Sequence, residues 1–592
     1  MNNVTLSSQA ILRTGRRLRR ELLGQDALKD IRIAILGGST TNELCDFLEI
    51  VLLSEGFRPT FLQSEYGAYF EESVLDPSRL RDFRPQIVYV HTSYRNLHLL
   101  PTPDTSPEDV ASRVKQELDK LRSVWSAVHE HTGAQVIQNN FDAPPHRMLG
   151  NLDAVHPAGA ARFVASLNAA LAEAVSTSPG VLLHDMVSLA DRLGRARWSD
   201  ASRWFSYKLA HTPEAHFEIA RSLTAQVRAI YGRARKVLVL DLDNTLWGGV
   251  IGDDGVDRIR IGRETAEAEA FTAFHEYCLS LRARGVLLAV CSKNDADVAK
   301  TGLAHPDSVL RLEHFSAFRA NWQPKHENIL SMAEELNLGA DSFVFVDDNP
   351  AERALVAAQL PMVAVPDVGS DVTRYADIID DMRYFESVTL SADDLKRAAQ
   401  YSANSARVSA SARFADYGEY LASLTMSAEI DLFSPLYLER IAQLTNKTNQ
   451  FNLTTRRYSL AEMKAIADDA SHIALYGKLT DRFGDNGLVS VLVARVEGDS
   501  AEIDLWLMSC RVLKRDMELA MLDVLVERAR EQGVKRLRGR FIPTAKNSMV
   551  EDHYDRLGFT LIRAEEKSTW WDLPISEYVA RSQHITILPA SQ

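Results

Sequence analysis

The sequence has few cysteines and no long apolar run, and these absences exclude several classes of protein. Its four cysteines, Cys45, Cys278, Cys291 and Cys510, are far apart and form no Cys-x-x-Cys pair, so we expect neither a disulfide framework nor a zinc knuckle. No run of about 18 apolar residues occurs, and the N-terminal segment lacks the apolar region of a signal peptide. We therefore expect a cytoplasmic protein that does not enter membranes.

Positive charge is also in deficit. The formal net charge is −13 at pH 7 over 592 residues, which argues against nucleic acid or a membrane surface as a partner. One basic run, from Arg13 to Arg20, is a local exception, and we interpret it as the solvated face of a first helix, with docking of an acidic protein as the alternative. The length is too great for a single hydrophobic core, so about three domains are expected.

The most informative segment is an apolar run, 236–240, that leads directly into Asp241, Asp243 and Thr245. Side chains alternate along a strand, so the two carboxylates should lie on the same side of the chain. One carboxylate of such a pair can attack phosphorus while the other transfers a proton. A solvated loop or a structural calcium site is the alternative interpretation.

Two further apolar runs end in polar side chains. The run 285–291 is followed by Ser292, Lys293 and Asn294, and the run 343–346 is followed by Asp347 and Asp348. Helical patterns such as 264–284 separate the runs, so we predict a parallel sheet whose ligands gather at the carboxyl ends of the strands. Lys325 lies between the second and third runs.

This order of motifs resembles the haloacid dehalogenase (HAD) phosphotransferase superfamily. The resemblance implies that Asp241 is a nucleophile that forms an aspartyl phosphate and that Asp243 is the general acid and base. It also implies that Ser292 and Lys325 stabilise the transferring phosphoryl group. The other implied roles are phosphate or substrate binding by Thr245, Lys293 and Asn294, and Mg²⁺ binding by Asp241, Asp243, Asp347 and Asp348.

Four longer strings, 241–255, 292–295, 346–353 and 445–454, are similar to the FkbH-like proteins of polyketide biosynthesis, and the similarity covers roughly 231–570. That family implies a phosphatase and glyceryltransferase. A three-carbon unit from 1,3-bisphosphoglycerate would be dephosphorylated and transferred as a glyceryl thioester to an acyl carrier protein. The alternatives are a phosphatase of a small phosphorylated metabolite without acyl transfer, and a non-catalytic scaffold that docks carrier proteins.

The sequence as a whole predicts an α/β multidomain protein. Residues 231–370 would be a HAD-type Rossmannoid core, followed by a helical connector, 371–430. The intervals from Thr245 to Ser292 and from Lys325 to Asp347 are too short for a cap domain, so we expect a small flap at 247–255 and an open site.

Residues 1–230 resemble an SGNH-type esterase domain in their order of Ser39, Asn96 and His211. The acid that would orient His211 is missing, because the family's Asp-x-x-His block begins here with Lys208. Asp153 and His156 have the correct spacing, but they lie too early in the sequence. We therefore favour a structural or docking role over catalysis.

The runs 487–494 and 503–508 predict adjacent antiparallel strands, and a later segment, 547–559, carries Tyr554 on a helix before the last strand. With these features, residues 431–575 resemble a GNAT acyltransferase domain. The turn that holds the coenzyme A pyrophosphate in that family corresponds to 511–516, which has no glycine and carries Asp516. Ordinary acetyl-CoA binding is therefore not expected. Arg511, Lys514 and Arg515 could still attract the single phosphate of a phosphopantetheine arm, and a fold that has lost its chemistry is the alternative.

Two cysteines are candidates for an acyl-enzyme. Cys291 precedes Ser292, where the charges of a metal ion and Lys325 would lower a thiol pKa, and Cys510 adjoins Arg511. A small core residue is the alternative for Cys291, and transfer without an enzyme cysteine stays open.

Overall fold

Three sheets organise the chain. The computed structural model describes residues 6–25, 28–390, 395, 400–401, 407, 414, 416–448, 450–544, 547–565 and 567–588, apart from the side chains of Lys447 and Cys510. The chain splits into two compact units, Met1–Arg228 and Ala229–Gln592. The predicted α/β class is confirmed.

The first unit contains a parallel sheet of five strands in the order β2-β1-β3-β4-β5. The strands are β1 (Lys29–Gly37), β2 (Phe57–Gln63), β3 (Ile87–His91), β4 (Gln135–Asn139) and β5 (Val181–His184). The α-helices that begin before the boundary are Ser8–Leu23, Asn42–Ser54, Ser78–Phe83, Pro107–Thr132, Ala160–Ser176, Met186–Leu193, Arg195–Trp198, Ala201–Tyr207 and Pro213–Ile230. The basic run lies on the first of these helices with its arginines exposed, as the sequence predicts, while Ile11 and Leu18 are buried.

The second unit begins with a parallel sheet of four strands in the order β8-β7-β6-β9. The strands are β6 (Val237–Leu240), β7 (Leu287–Ser292), β8 (Phe315–Ala320) and β9 (Phe343–Val346). The α-helices of this part are Ile251–Asp254, Ala266–Ala283, Ala296–Leu303, Lys325–Glu335, Pro350–Gln359 and Tyr375–Asp381. Because Leu240 pairs with both Val290 and Val346, the three carboxyl ends that carry the polar motifs lie side by side.

The third sheet has eight strands in the order β15-β16-β14-β13-β12-β11-β10-β17. Its strands are β10 (Met426–Leu432), β11 (His472–Asp481), β12 (Gly484–Glu497), β13 (Ser500–Met508), β14 (Arg536–Phe541), β15 (Thr560–Glu565), β16 (Ser568–Pro574) and β17 (Ile585–Leu588). The α-helices here are Tyr417–Ser423, Leu438–Lys447, Leu460–Asp468, Met517–Glu531 and His553–Arg556. None of the helices in the described part of the chain has the length and apolar character needed to cross a bilayer.

Candidate active site

A buried lysine joins two of the predicted carboxylates. The Lys325 ammonium donates to Asp241 Oδ1 at 2.8 Å and to Asp347 Oδ2 at 2.5 Å. All three side chains are buried. Lys325 is the first residue of its helix, and the strand pairs β6–β7 and β6–β9 bring the other two residues to it. The motifs that the sequence predicts to meet therefore do meet.

The charges in this cluster influence one another strongly. Burial raises the pKa of Asp241, against the opposing effect of Lys325. Burial and the charge of Asp241 raise the pKa of Asp347 to about 6. For Lys325, burial lowers the pKa, but the two carboxylates outweigh it and hold the ammonium charged.

The same carboxylates form a group that suits a hard divalent cation. Within the described residues, one oxygen from each of Asp241, Asp347 and Asp348 lies within 4.8 Å of the others. With Lys325 included, the formal charge of the cluster is about −2, which a divalent cation would neutralise. An all-oxygen carboxylate set of this kind fits Mg²⁺.

Asp243 is placed differently from the metal role that the family resemblance implies, because its carboxylate is outside this group. Its Oδ1 accepts hydrogen bonds from the indole of Trp247 at 2.9 Å and from the backbone N–H of Ile251 at 3.0 Å, and its Oδ2 accepts one from Asn294 at 3.0 Å. Burial raises the pKa of Asp243, against the hydrogen bonds from Ile251 and Trp247. A half-buried carboxyl with a raised pKa is suited to donate and accept a proton.

The flap is more closely attached to the site than the sequence indicated. Trp247 and Ile251, both buried, hold Asp243 from the flap, and Gly248 pairs with Arg260 in an antiparallel bridge. A Cβ atom at Gly302 would lie 2.7 Å from the Trp247 ring, so only glycine fits against that indole. The flap is therefore a packed element that positions the acid.

The remaining predicted residues surround the cluster. The Ser292 side chain opposes the rise in the pKa of Asp241, and the Thr245 hydroxyl accepts from the backbone N–H of Asp348 at 3.2 Å. Sequence reasoning missed Arg353, which donates to the carbonyl oxygens of Asp347 and Asp348 and so fixes this loop. Its position four residues from a motif loop, at the start of a helix, was the available signal.

The structure contradicts a reactive thiolate at Cys291. Its side chain is fully buried on the face of the sheet opposite to Ser292, and its Sγ lies 3.6 Å from the backbone carbonyl of Lys325. Burial raises the pKa of this thiol to about 12, and the opposing charge of Lys325 is too weak to reverse the shift. Cys291 is a core residue, and the alternative candidate, the Cys510 side chain, lies outside the described residues.

We therefore expect Cys291→Ala to retain phosphate-releasing activity. Removing the sulfur leaves a small cavity and should lower the free energy of unfolding by about 1 kcal/mol. Enzyme assays and urea unfolding check both parts. If the folded variant lost activity by more than about tenfold, Cys291 would take part in the reaction after all.

The first unit lacks a connected catalytic triad among its described residues. His211 is buried, and neither of its ring nitrogens has a hydrogen-bond partner there. Asp153, which has the family spacing to His156, instead accepts from the N–H groups of Ala160 and Ala161 and caps their helix. These contacts favour the structural interpretation.

The buried histidines should make the first unit acid-sensitive. Burial lowers the pKa of His91 to about 3 and that of His211 well below its ordinary value. The unfolded chain then binds more protons below about pH 6.5, so the free energy of unfolding falls as the pH is lowered. Between pH 7 and pH 5, the free energy of unfolding measured in urea should fall by about 2 kcal/mol less in His211→Phe than in the wild type. An equal fall in the free energy of unfolding in both proteins would show that His211 does not cause the acid sensitivity.

Two of the three cations in the turn at 511–516 are paired within the chain, whereas the Lys514 side chain is exposed. The Arg511 guanidinium donates to Gln400 and Ser509, and Arg515 is buried on Asp481, which also binds Arg407.

A segment of the chain itself occupies the gap where β13 and β14 diverge. The two strands pair only between Ser500–Ile503 and Arg536–Gly539. Beyond that point, Leu453 N–H donates to the Trp506 carbonyl, Met508 N–H donates to Phe451, and Ile542 N–H donates to Leu453. Residues 451–454 are all buried. A pantetheine amide would have to compete with these bonds for the edge of β13.

Acetyl-CoA should consequently bind the full chain weakly or not at all. Calorimetry should detect no binding in the micromolar range. Micromolar affinity would mean that residues 451–454 leave the gap readily, contrary to their burial.

No protein-family model and no curated protein matches the sequence. Among solved structures, the chain is similar to the N-terminal part of a Bacteroides fragilis protein that contains a phosphatase domain and is complexed with Mg. The match has 28% identity and a TM-score of 0.58, and it covers 64% of this chain and 99% of that one. A smaller likeness is to the ribosomal-protein-S18-alanine N-acetyltransferase of Escherichia coli: 14% identity, TM-score 0.21, 26% of this chain and 99% of that one. The first similarity supports a phosphatase-type enzyme, the class that the buried carboxylate and lysine cluster also indicates.

Proposed function

We propose that this chain is a Mg²⁺-dependent phosphatase-type enzyme that acts on a phosphorylated three-carbon acyl phosphate and transfers the acyl group to an acyl carrier protein. The observation that carries the phosphatase part is the buried arrangement of Lys325 between Asp241 and Asp347, with Asp348 beside them. The transfer part is supported by the sequence resemblance.

The residues divide the phosphatase chemistry between them. Asp241 attacks phosphorus, Lys325 and Ser292 orient and neutralise the reacting groups, and Asp243 donates a proton to the leaving oxygen and later removes one from water. Asp241, Asp347 and Asp348 would hold Mg²⁺, which offsets repulsion between the nucleophile and an anionic phosphate.

The two phosphates of 1,3-bisphosphoglycerate suit different steps. The ester at C3 is a substrate for attack by Asp241, with release of phosphate after hydrolysis. The acyl phosphate at C1 is a mixed anhydride, so a carrier thiolate can attack its carbonyl carbon and displace phosphate to give the thioester. With Cys291 buried, direct attack by the carrier thiol is the simpler route.

Intact-protein mass spectrometry tests the proposal. The full chain, Mg²⁺, 1,3-bisphosphoglycerate and a holo carrier protein should yield a glyceryl adduct on the phosphopantetheine arm. Phosphate release without an adduct would support the phosphatase alternative, and the absence of both products would support a scaffold.

Magnesium titration of Asp348→Ala and Asp347→Ala identifies the stronger ligand. We expect the larger loss of Mg²⁺ affinity for Asp348→Ala, since Asp347 is already bound by Lys325.

A further inference from the structure

Two cations lie at the carboxyl edge of the five-stranded sheet without an acceptor from the chain. The Arg95 guanidinium carbon lies 4.9 Å from the ring centre of Tyr94 and 4.5 Å from that of Trp204. The Lys208 ammonium lies 5.5 Å from the ring centre of the same indole. Within the described residues, neither side chain donates a hydrogen bond to the protein, although both are partly buried. Trp204 therefore has two unpaired positive charges beside it.

These cations lie where a sheet of this topology binds ligands. β1 lies between β2 and β3, so the chain crosses to the other side of β1 after β2, and such a reversal leaves a crevice between the loops that follow β1 and β3. Asn96 Nδ2 donates to the Gly38 carbonyl at 2.7 Å and so joins these two loops. Thr40 N–H donates to the Lys208 carbonyl at 3.0 Å, which attaches the end of helix Ala201–Tyr207 to the first loop. Three segments therefore hold the two cations at the crevice.

A structural role does not explain these cations. Arg203, one residue before Trp204 on the same helix, is bonded to Glu43, which is the usual arrangement for a partly buried arginine. Arg95 and Lys208 instead leave two like charges beside one indole, where they repel each other, and partial burial removes part of their hydration. The contacts with the rings attract each cation but do not cancel its charge. An anion in the crevice would offset both costs.

An acidic side chain, Asp142, lies near Arg95 but does not pair with it. Its Oδ1 accepts from the backbone N–H of Tyr94 at 3.1 Å, and its Oδ2 accepts from the indole of Trp198 at 3.1 Å. Burial raises the pKa of Asp142, against these hydrogen bonds and the charge of Arg95. The two cations therefore outnumber this acid, and a cleft with charge of one sign attracts ions of the other.

We infer that Arg95 and Lys208 bind a phosphate monoester in the crevice between the loops that follow β1 and β3. The planar guanidinium offers parallel N–H groups to two phosphate oxygens, and the flanking rings fix its orientation. A phosphate monoester carries a charge of about −1.5 to −2 at pH 7, which matches two cations better than a carboxylate does. Inorganic phosphate has the same chemistry, and experiment distinguishes it from an organic monoester. The site lies in the first unit and does not depend on the proposed function.

Protection of Arg95 from phenylglyoxal tests the site in the full chain. This reagent modifies guanidinium groups that solvent can reach, and peptide mass spectrometry gives the rate at Arg95 itself. EDTA is present so that phosphate esters are not hydrolysed. Inorganic phosphate and phenyl phosphate should each lower the rate about fivefold or more, relative to sodium chloride at equal ionic strength. Equal protection by both indicates free phosphate as the ligand, and stronger protection by phenyl phosphate indicates an organic monoester.

Arg81 is the internal control, because it is an exposed arginine whose guanidinium has no hydrogen-bond partner in the part of the chain that the structure describes. Its rate should not change. Lys208→Met should raise the phosphate concentration for half-protection about tenfold. Lys120→Met, which removes a lysine that lies over the Tyr69 ring, should not raise it. Equal rates at Arg95 in phosphate and chloride, equal protection of Arg95 and Arg81, or an unchanged concentration for half-protection in Lys208→Met overturns the site.

Discussion

Asp241→Asn should lower the rate of phosphate release by about 10⁴-fold or more while the protein stays folded. An amide cannot attack phosphorus, and Asp241 is a carboxylate that the Lys325 ammonium contacts. Loss of the nucleophile removes a step that no neighbouring group replaces. Steady-state assays with a phosphate ester measure the effect.

Asp257→Asn is the matched control for this substitution. Asp257 is an exposed carboxylate close to the flap, and its replacement should change the rate less than twofold or so. Near wild-type phosphate release by Asp241→Asn would exclude the proposed nucleophile and with it the phosphatase mechanism.

Lys325→Met should have the largest effect on stability. Without the ammonium, Asp241 and Asp347 would face each other uncompensated in a buried site, and breaking a buried ion pair costs about 3–5 kcal/mol. Urea unfolding should show a loss of this size, accompanied by loss of activity.

Magnesium ions distinguish the electrostatic cause from lost packing. A divalent cation bound by the carboxylates should restore part of the stability of Lys325→Met, but it cannot restore a lost contact between alkyl chains. Lys300→Met, which replaces an exposed lysine paired with Asp297, is the control, with an expected change within about 0.5 kcal/mol. If Lys325→Met and the wild type had equal free energies of unfolding, repulsion between the two buried carboxylates would not destabilise the cluster.

The site was predictable because three buried strands end in polar residues at one edge of a parallel sheet. The runs before Asp241, Ser292 and Asp347 are continuous and apolar, which is typical of strands that are covered on both faces. Lys325 was assigned through the family resemblance that the order of the motifs carries. The flap contacts of Asp243 could not be predicted. In the sequence Trp247 counts only as an apolar residue, and Ile251 contributes a backbone group rather than a side chain.

Cys291 shows where sequence reasoning was misleading. Because Cys291 adjoins Ser292 in the sequence, we expected it to lie near the same charges. Side chains alternate along a strand, however, so neighbouring residues point to opposite faces of the sheet. That rule was already available from the sequence. In contrast, the pairing of residues 451–454 with β13 joins positions about fifty residues apart, and local patterns carry no information about it.

The insertion of residues 451–454 also determines when the third sheet can finish folding during synthesis. The N–H of Ile542 closes the segment against β14, and this residue is made long after Leu453. Until then a nascent chain has an unpaired edge on β13 and an apolar segment without its final contacts, and both features favour aggregation. A chain that stops before β14 should therefore aggregate rather than remain as a smaller folded domain.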